Sequence, residues 1–117
     1  MRKLYIVKNK RDFDQIINNS KFKKNKSFII YFQSNKLIYD RFGISVGKKL
    51  GNAVFRNTYK RKIRSIIDKY KKSYVNSQDY IIILRRSALD KTFQELDEDF
   101  NKLMNNIREE SNEEEKH

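Results

Sequence analysis

Apolar positions along this chain change period several times, and each change marks the start of a new element. Phe13, Ile16 and Ile17 stand at i, i+3 and i+4, which predicts a short helix ending near Asn19. Asn9, followed three residues later by Asp12, supplies its start signal. Residues 20–27, SKFKKNKS, lose the periodicity and read as a basic loop or a weak edge strand. Phe28 to Phe32 is rich in aromatic and β-branched residues and predicts a strand. Leu37–Tyr39 and Phe42–Val46 follow, joined by the Asp40–Arg41 step, as one bent strand or two. In the second piece Phe42, Ile44 and Val46 alternate with Gly43, Ser45 and Gly47, the period of a half-buried strand. From Asn52, a good N-cap residue, the period becomes helical and runs to about Tyr70. Phe55, Tyr59, Ile63, Ile66, Ile67 and Tyr70 then fall on a stripe of roughly 120°, wide enough to pack on a sheet. Tyr80 to Leu84 is continuously apolar, as a strand buried on both faces would be. A last helix is expected from Phe93 to Arg108, opened by a Thr92–Glu95 capping box, with Phe93, Leu96, Phe100, Leu103 and Ile107 as its core stripe.

The resulting order is α-β-β-β-α-β-α, an α+β sandwich in which helices pack on a sheet of about four strands. A chain of 117 residues has room for one such domain, and no linker rich in Gly, Pro or Ser divides it. The expected domain is residues 1–108. Residues 109–117, EESNEEEKH, contain no apolar residue and read as a disordered acidic tail. The long helix lies between the strands Phe42–Val46 and Tyr80–Leu84, so these two are expected to be parallel neighbours. General rules would make such a crossover right-handed.

Charge changes this picture from a fold to a binding surface. The net charge is +12, but residues 1–75 hold 21 Lys and Arg against 4 Asp and Glu, whereas residues 76–117 hold 6 against 11. Between Asp40 and Asp68 there are eight basic residues and no acid. Arg56, Lys60 and Arg64 recur at i, i+4 and i+8 along one edge of the apolar stripe, and Asn57 and Arg61 continue the polar face beside them. Like charges four residues apart repel on an isolated helix, and a polyanion would relieve that repulsion. Arginine also holds phosphate oxygens two at a time, and an adjacent Asn can bond phosphate, sugar or base edge. A solvated basic face is the ordinary reading of any single charge here; five aligned polar positions without a counter-charge favour nucleic-acid contact.

The segment FGISVGKKLGNAVFRNTYKRKIRSII resembles the signature of the bacterial ribonuclease P protein subunit. The matching residues are Lys48, Lys49, Gly51, Asn52, Ala53, Val54, Arg56, Asn57, Lys60, Arg61 and Arg64; Thr58 departs, standing where the family usually has Arg. The likeness extends from about Lys3 to Ile107 in length and order of elements. It implies a left-handed βαβ crossover, against the general rule. It further implies that Arg56, Asn57, Lys60, Arg61 and Arg64 bind the catalytic RNA. A cleft between the first helix and the sheet would take the single-stranded 5′ leader of precursor tRNA. The residues carried over to that cleft are Phe13, Ile17 and Tyr31, with Lys48 and Lys49 at its cationic rim. Ile17 replaces what is often a second aromatic, which would leave one stacking partner missing. Taken singly, each of these aromatics reads first as ordinary core, and only together do they suggest a stacking cleft.

The residue inventory speaks against chemistry by the protein itself. A metal-dependent nuclease needs clustered carboxylates, and the acids before residue 75 are Asp12, Asp14, Asp40 and Asp68, which form no motif. Asp97, Glu98 and Asp99 are adjacent on a helix, so they diverge and read as a solvated face. There is no cysteine, and the single histidine, His117, ends the chain. No metal is therefore expected on the protein; the resemblance implies Mg²⁺ held mainly by the RNA. The expected function is the protein component of ribonuclease P, an endoribonuclease that removes the 5′ leader from precursor tRNA, with the ribonuclease P RNA and precursor tRNA as partners. A structural RNA-binding protein, such as a small ribosomal protein, is the alternative that composition alone would allow. A DNA-binding domain is a poor fit, because no turn joins two helices. No apolar run approaches the ~18 residues of a membrane span, so no membrane partner is expected and a cytoplasmic location is. No feature of the sequence sets an oligomeric state.

Overall fold

Four strands form one mixed sheet in a computed structural model of the chain, which describes residues 6–7 and 9–115. They are β1 (Lys21–Lys24), β2 (Phe28–Ser34), β3 (Arg41–Ser45) and β4 (Gln78–Leu84), in the spatial order β1-β2-β4-β3. Three helices accompany them: α1 (Lys10–Asn19), α2 (Ala53–Lys71) and α3 (Phe93–Glu115). β1, β2 and β4 are antiparallel neighbours, whereas β3 pairs with β4 in parallel through the α2 crossover. This is the expected order of elements, with the basic segment 20–27 supplying an edge strand.

Strand alternation divides the apolar residues between two faces of unequal depth. Phe28, Ile30, Phe32, Phe42, Tyr80, Ile82 and Leu84 point to one side. There they meet the α2 stripe of Tyr59, Ile63, Ile66, Ile67 and Tyr70, and Leu96, Phe100, Leu103, Met104 and Ile107 of α3. Each fully buried large side chain contributes about 1.5–3 kcal/mol, so this face carries most of the stability. On the other side the buried hydrophobic cluster among the described residues is Val7, Ile16 and Ile81, and Ile16 is the one buried residue of α1. By the same measure α1 is held loosely, and it leaves much of its sheet face uncovered.

The helix starts follow the sequence signals. Asn9 accepts from the Asp12 amide at 2.8 Å, and Asn52 accepts from the Phe55 amide at 2.9 Å. Thr92 and Glu95 make both bonds of a capping box, at 3.0 and 3.1 Å. Other expectations fail for identifiable reasons. Leu37–Tyr39 is not a strand. Lys36 takes a left-handed φ of 63°, and the Asn35 side chain bonds both the Leu37 amide and the Tyr39 carbonyl, folding the segment into a loop. The Asp40 carboxylate then accepts from the backbone amides of Asn76 and Gln78, tying that loop to the start of β4. Burial pushes the Asp40 carboxyl above its ordinary range, against the lowering effect of those amides.

α3 is the second departure. It continues to Glu115, beyond the expected end at Arg108, so residues 109–115 are helical rather than a tail without structure. Glutamate is a good helix former, and extending an existing helix requires no new nucleus. Glu110 also pairs with Lys23 of β1 at 3.6 Å. Lys116 and His117 lie outside the described residues. Phe93 is exposed in the first turn of α3, and Met104 takes a core position instead. Asp97 and Asp99 do diverge, but they are ties rather than a solvated face: Asp97 pairs with Lys69 of α2, and Asp99 with Lys91 and the Ser27 hydroxyl.

Candidate nucleic-acid interface

The apolar stripe of α2 is docked on the sheet, and that docking turns the basic edge outward. Asn57, Arg61 and Arg64 are exposed, while Arg56 and Lys60 are half-buried beside the stripe. From Arg56 to Arg64 the row is about 12 Å long, at 1.5 Å per residue. Among the described residues none of these five side chains has a hydrogen-bond or ion-pair partner, and no acceptor reaches the enclosed Nε of Arg56. No acidic residue stands in the first turn of α2, so the positive helix end is uncompensated there. Thr58, on the same exposed surface, returns its hydroxyl to the Val54 carbonyl at 2.9 Å.

Lys48 and Lys49 precede this helix in a tight turn, Lys48–Leu50, that leaves the end of β3. Both are exposed. Gly51 closes the turn under the ring of Phe55; a Cβ at this position would stand 2.4 Å from Phe55 Cδ1. Glycine thus lets the chain enter α2 directly beneath the Phe55–Tyr59 ring pair, whose centroids are 4.9 Å apart.

Phe13, Ile17 and Tyr31 come together on the opposite side of the sheet, partly buried against Val7, Ile16 and Ile81. Gly43 is what allows α1 to sit there. A Cβ at position 43 would lie 2.6 Å from Phe13 Cε2 and 2.8 Å from Ile81 Cδ1. A cavity of about 330 Å³ opens beside Phe13, walled by Val7, Phe42 and Ile44 and reached by Lys60 and Arg64. The two surfaces expected from the sequence therefore meet around the β3 edge. Ile17 of α1 and Tyr31 of β2 pack together between helix and sheet rather than in the cavity, and Lys48 and Lys49 do not line it.

Sequence reasoning missed two participants. One is the segment of Ile6 and Val7, which bridges to Phe42 along β3 and walls the cavity. The other is Phe22 of β1, which is exposed and packs its ring on Tyr31 at 5.3 Å between centroids. An aromatic between lysines in SKFKKNKS was the available signal for the second.

The acids near these surfaces are engaged in structure. Asp12 receives the Asn9 amide group at 3.1 Å. Asp79 is buried and takes a two-pronged bond from Arg41, at 2.8 and 2.6 Å, which holds the guanidinium above its ordinary pKa. Among the described residues no three His, Cys, Asp or Glu side chains converge, and no helix is long and apolar enough to cross a membrane.

Comparison with known proteins places this geometry in a family. The model of the family described as Ribonuclease P matches residues 1–108. The Ribonuclease P protein component of Mesoplasma florum is 42% identical over 105 residues, covering 89% of this chain and 96% of that protein. The Ribonuclease P protein component of Streptococcus pyogenes is 38% identical over 104 residues, covering 89% and 87%. Among solved structures, the RNase P protein of Staphylococcus aureus superposes with a TM-score of 0.81 at 36% identity, covering 88% of this chain and 94% of that one. The RNase P protein of Thermotoga maritima gives a TM-score of 0.74 at 32% identity, covering 80% and 89%.

Proposed function

The chain belongs to the ribonuclease P protein family, and from that premise we propose that it works by two contacts. Arg56, Asn57, Lys60, Arg61 and Arg64 on α2 bind the catalytic RNA. The cleft of Phe13, Ile17 and Tyr31, with Lys48 and Lys49 nearby, holds the 5′ leader of precursor tRNA. Ribonuclease P is an endoribonuclease of which this protein is a subunit. The observation that carries the proposal is the α2 face: five aligned polar side chains, partnerless among the described residues. Arginine and lysine head groups without a partner inside the fold are available to hold phosphate oxygens.

The Mg²⁺ that the family implies belongs, on this reading, mainly to the RNA, since no three acids converge among the described residues. Asp12 and Asp79 are committed to Asn9 and Arg41, and Asp40 to backbone amides. The protein's part is to reduce phosphate repulsion, hold the leader in register with the RNA, and favour precursor over product. Such a role suits the cytoplasm, where precursor tRNA is made in bacteria.

Replacing Arg56, Lys60, Arg61 and Arg64 together with Ala tests the α2 contact. Assembly with a bacterial ribonuclease P RNA should weaken, and the log–log dependence of affinity on salt should flatten by roughly 0.7–0.9 per lost phosphate contact. An unchanged slope in the folded variant would reject this face as the RNA surface.

A further inference from the structure

Phe22 stands on the edge strand β1 with 54% of its surface exposed. It lies directly opposite Tyr31 in the β1–β2 register, so both rings occupy the same face of the sheet. That face is the one α1 covers only in part. The two rings are tilted by 42° with centroids 5.3 Å apart, and Tyr31 in turn packs on the cluster that includes Phe13 and Ile17. Aromatic surface therefore runs from the α1 cluster to the open edge of the sheet.

An exposed aromatic on a four-residue edge strand is a liability in a free protein. The strand's other residues indicate what covers it. Lys21, Lys23 and Lys24 surround Phe22, and β1 contains no acid. Lys23 turns to the opposite face, where it meets the Asn106 carbonyl and Glu110. Lys24, two residues beyond Phe22, is exposed on the same face as the ring. An aromatic pair bordered by cations suits the bases and phosphates of a single strand of RNA, whereas an apolar protein partner would have to desolvate those lysines.

We propose that Phe22 is a base-stacking residue that extends the leader cleft across β1, holding one leader nucleotide beyond those at Tyr31 and Phe13. Position 17 offers no ring, so the second platform beside Tyr31 comes from the edge strand instead of from α1. The inference rests on the reading of this cleft as the leader site.

The test uses holoenzyme reconstituted with a bacterial ribonuclease P RNA, and precursor tRNAs whose leaders lengthen one nucleotide at a time. With the wild-type protein, affinity should rise with leader length until the platform is filled. Phe22→Ala should end that rise one nucleotide earlier. It should weaken binding of long-leader precursor about tenfold, toward the low end of base–aromatic stacking, with mature tRNA unaffected. Phe22→Tyr should bind as wild type, and Phe22→Leu, apolar but without a π face, should resemble Phe22→Ala. The proposal is overturned if Tyr31→Ala loses leader affinity while Phe22→Ala does not. It is equally overturned if Phe22→Leu matches wild type, or if Phe22→Ala weakens precursor and product alike. If neither Tyr31→Ala nor Phe22→Ala alters leader affinity, the cleft reading itself falls and takes this inference with it.

Discussion

On the proposed function, Tyr31 and Phe13 each serve both fold and ligand. Each leaves part of its ring in the open while the rest leans on Ile16, Ile81 and Val7. A fully buried Phe costs about 3–5 kcal/mol when cut to Ala, and these half-buried rings should cost less. Their larger effect should be on substrate. Phe13→Ala and Tyr31→Ala are expected to weaken holoenzyme binding of leader-bearing tRNA by about 1–3 kcal/mol while leaving mature tRNA nearly unchanged. Competition binding with the two RNAs, together with thermal melts of the free variants, separates the roles. Equal losses on both ligands with a large fall in Tm would make these residues core and nothing more. From the sequence each aromatic read first as core, because residue type does not report how much of a ring its neighbours cover. Phe22 was missed for the same reason: only the register opposite Tyr31 gives it a role.

Among the elements, α2 was legible in full because its two faces are written in one period. The apolar stripe docks on the sheet, and the basic edge follows from it by geometry. The loop at residues 35–40 was not, because Asp40 is fixed by amides at positions 76 and 78, a pairing that no local pattern announces. The docking of α1 depends likewise on a remote residue. Gly43→Ala would force both Phe13 and Ile81 to move, at a cost of about 1–3 kcal/mol. Chemical denaturation should show that loss, and leader binding should fall with it as Phe13 shifts; a variant as stable as wild type would mean α1 is not seated through Gly43. Thr58 makes the opposite case. Its side chain is exposed and bonded only to its own helix, to the Val54 carbonyl. Thr58→Arg adds a cation to the α2 surface and should leave RNA assembly unchanged or tighter. A clear loss in the folded variant would show that the RNA packs closely on Thr58.

At the scale of the whole molecule, the fold separates tasks that the sequence lists side by side. The deep core under α2 and α3 makes a rigid body, and the thin cluster under α1 leaves a cleft open. The β3 edge joins that cleft to the basic helix through the cavity reached by Lys60 and Arg64. On the proposed function the basic excess of residues 1–75 offsets RNA repulsion, an effect that should fade as salt rises. The proposed function leaves the chemistry to the RNA and the positioning to the protein, and a reconstitution checks both halves at once. Precursor tRNA cleavage should be followed at low Mg²⁺ with a bacterial ribonuclease P RNA alone, with this protein alone, and with both. The protein alone should cleave nothing and the RNA alone little, whereas the two together should release the 5′ leader efficiently. Cleavage by the purified protein free of RNA, or no stimulation of the RNA by a correctly folded protein, would contradict the proposed function.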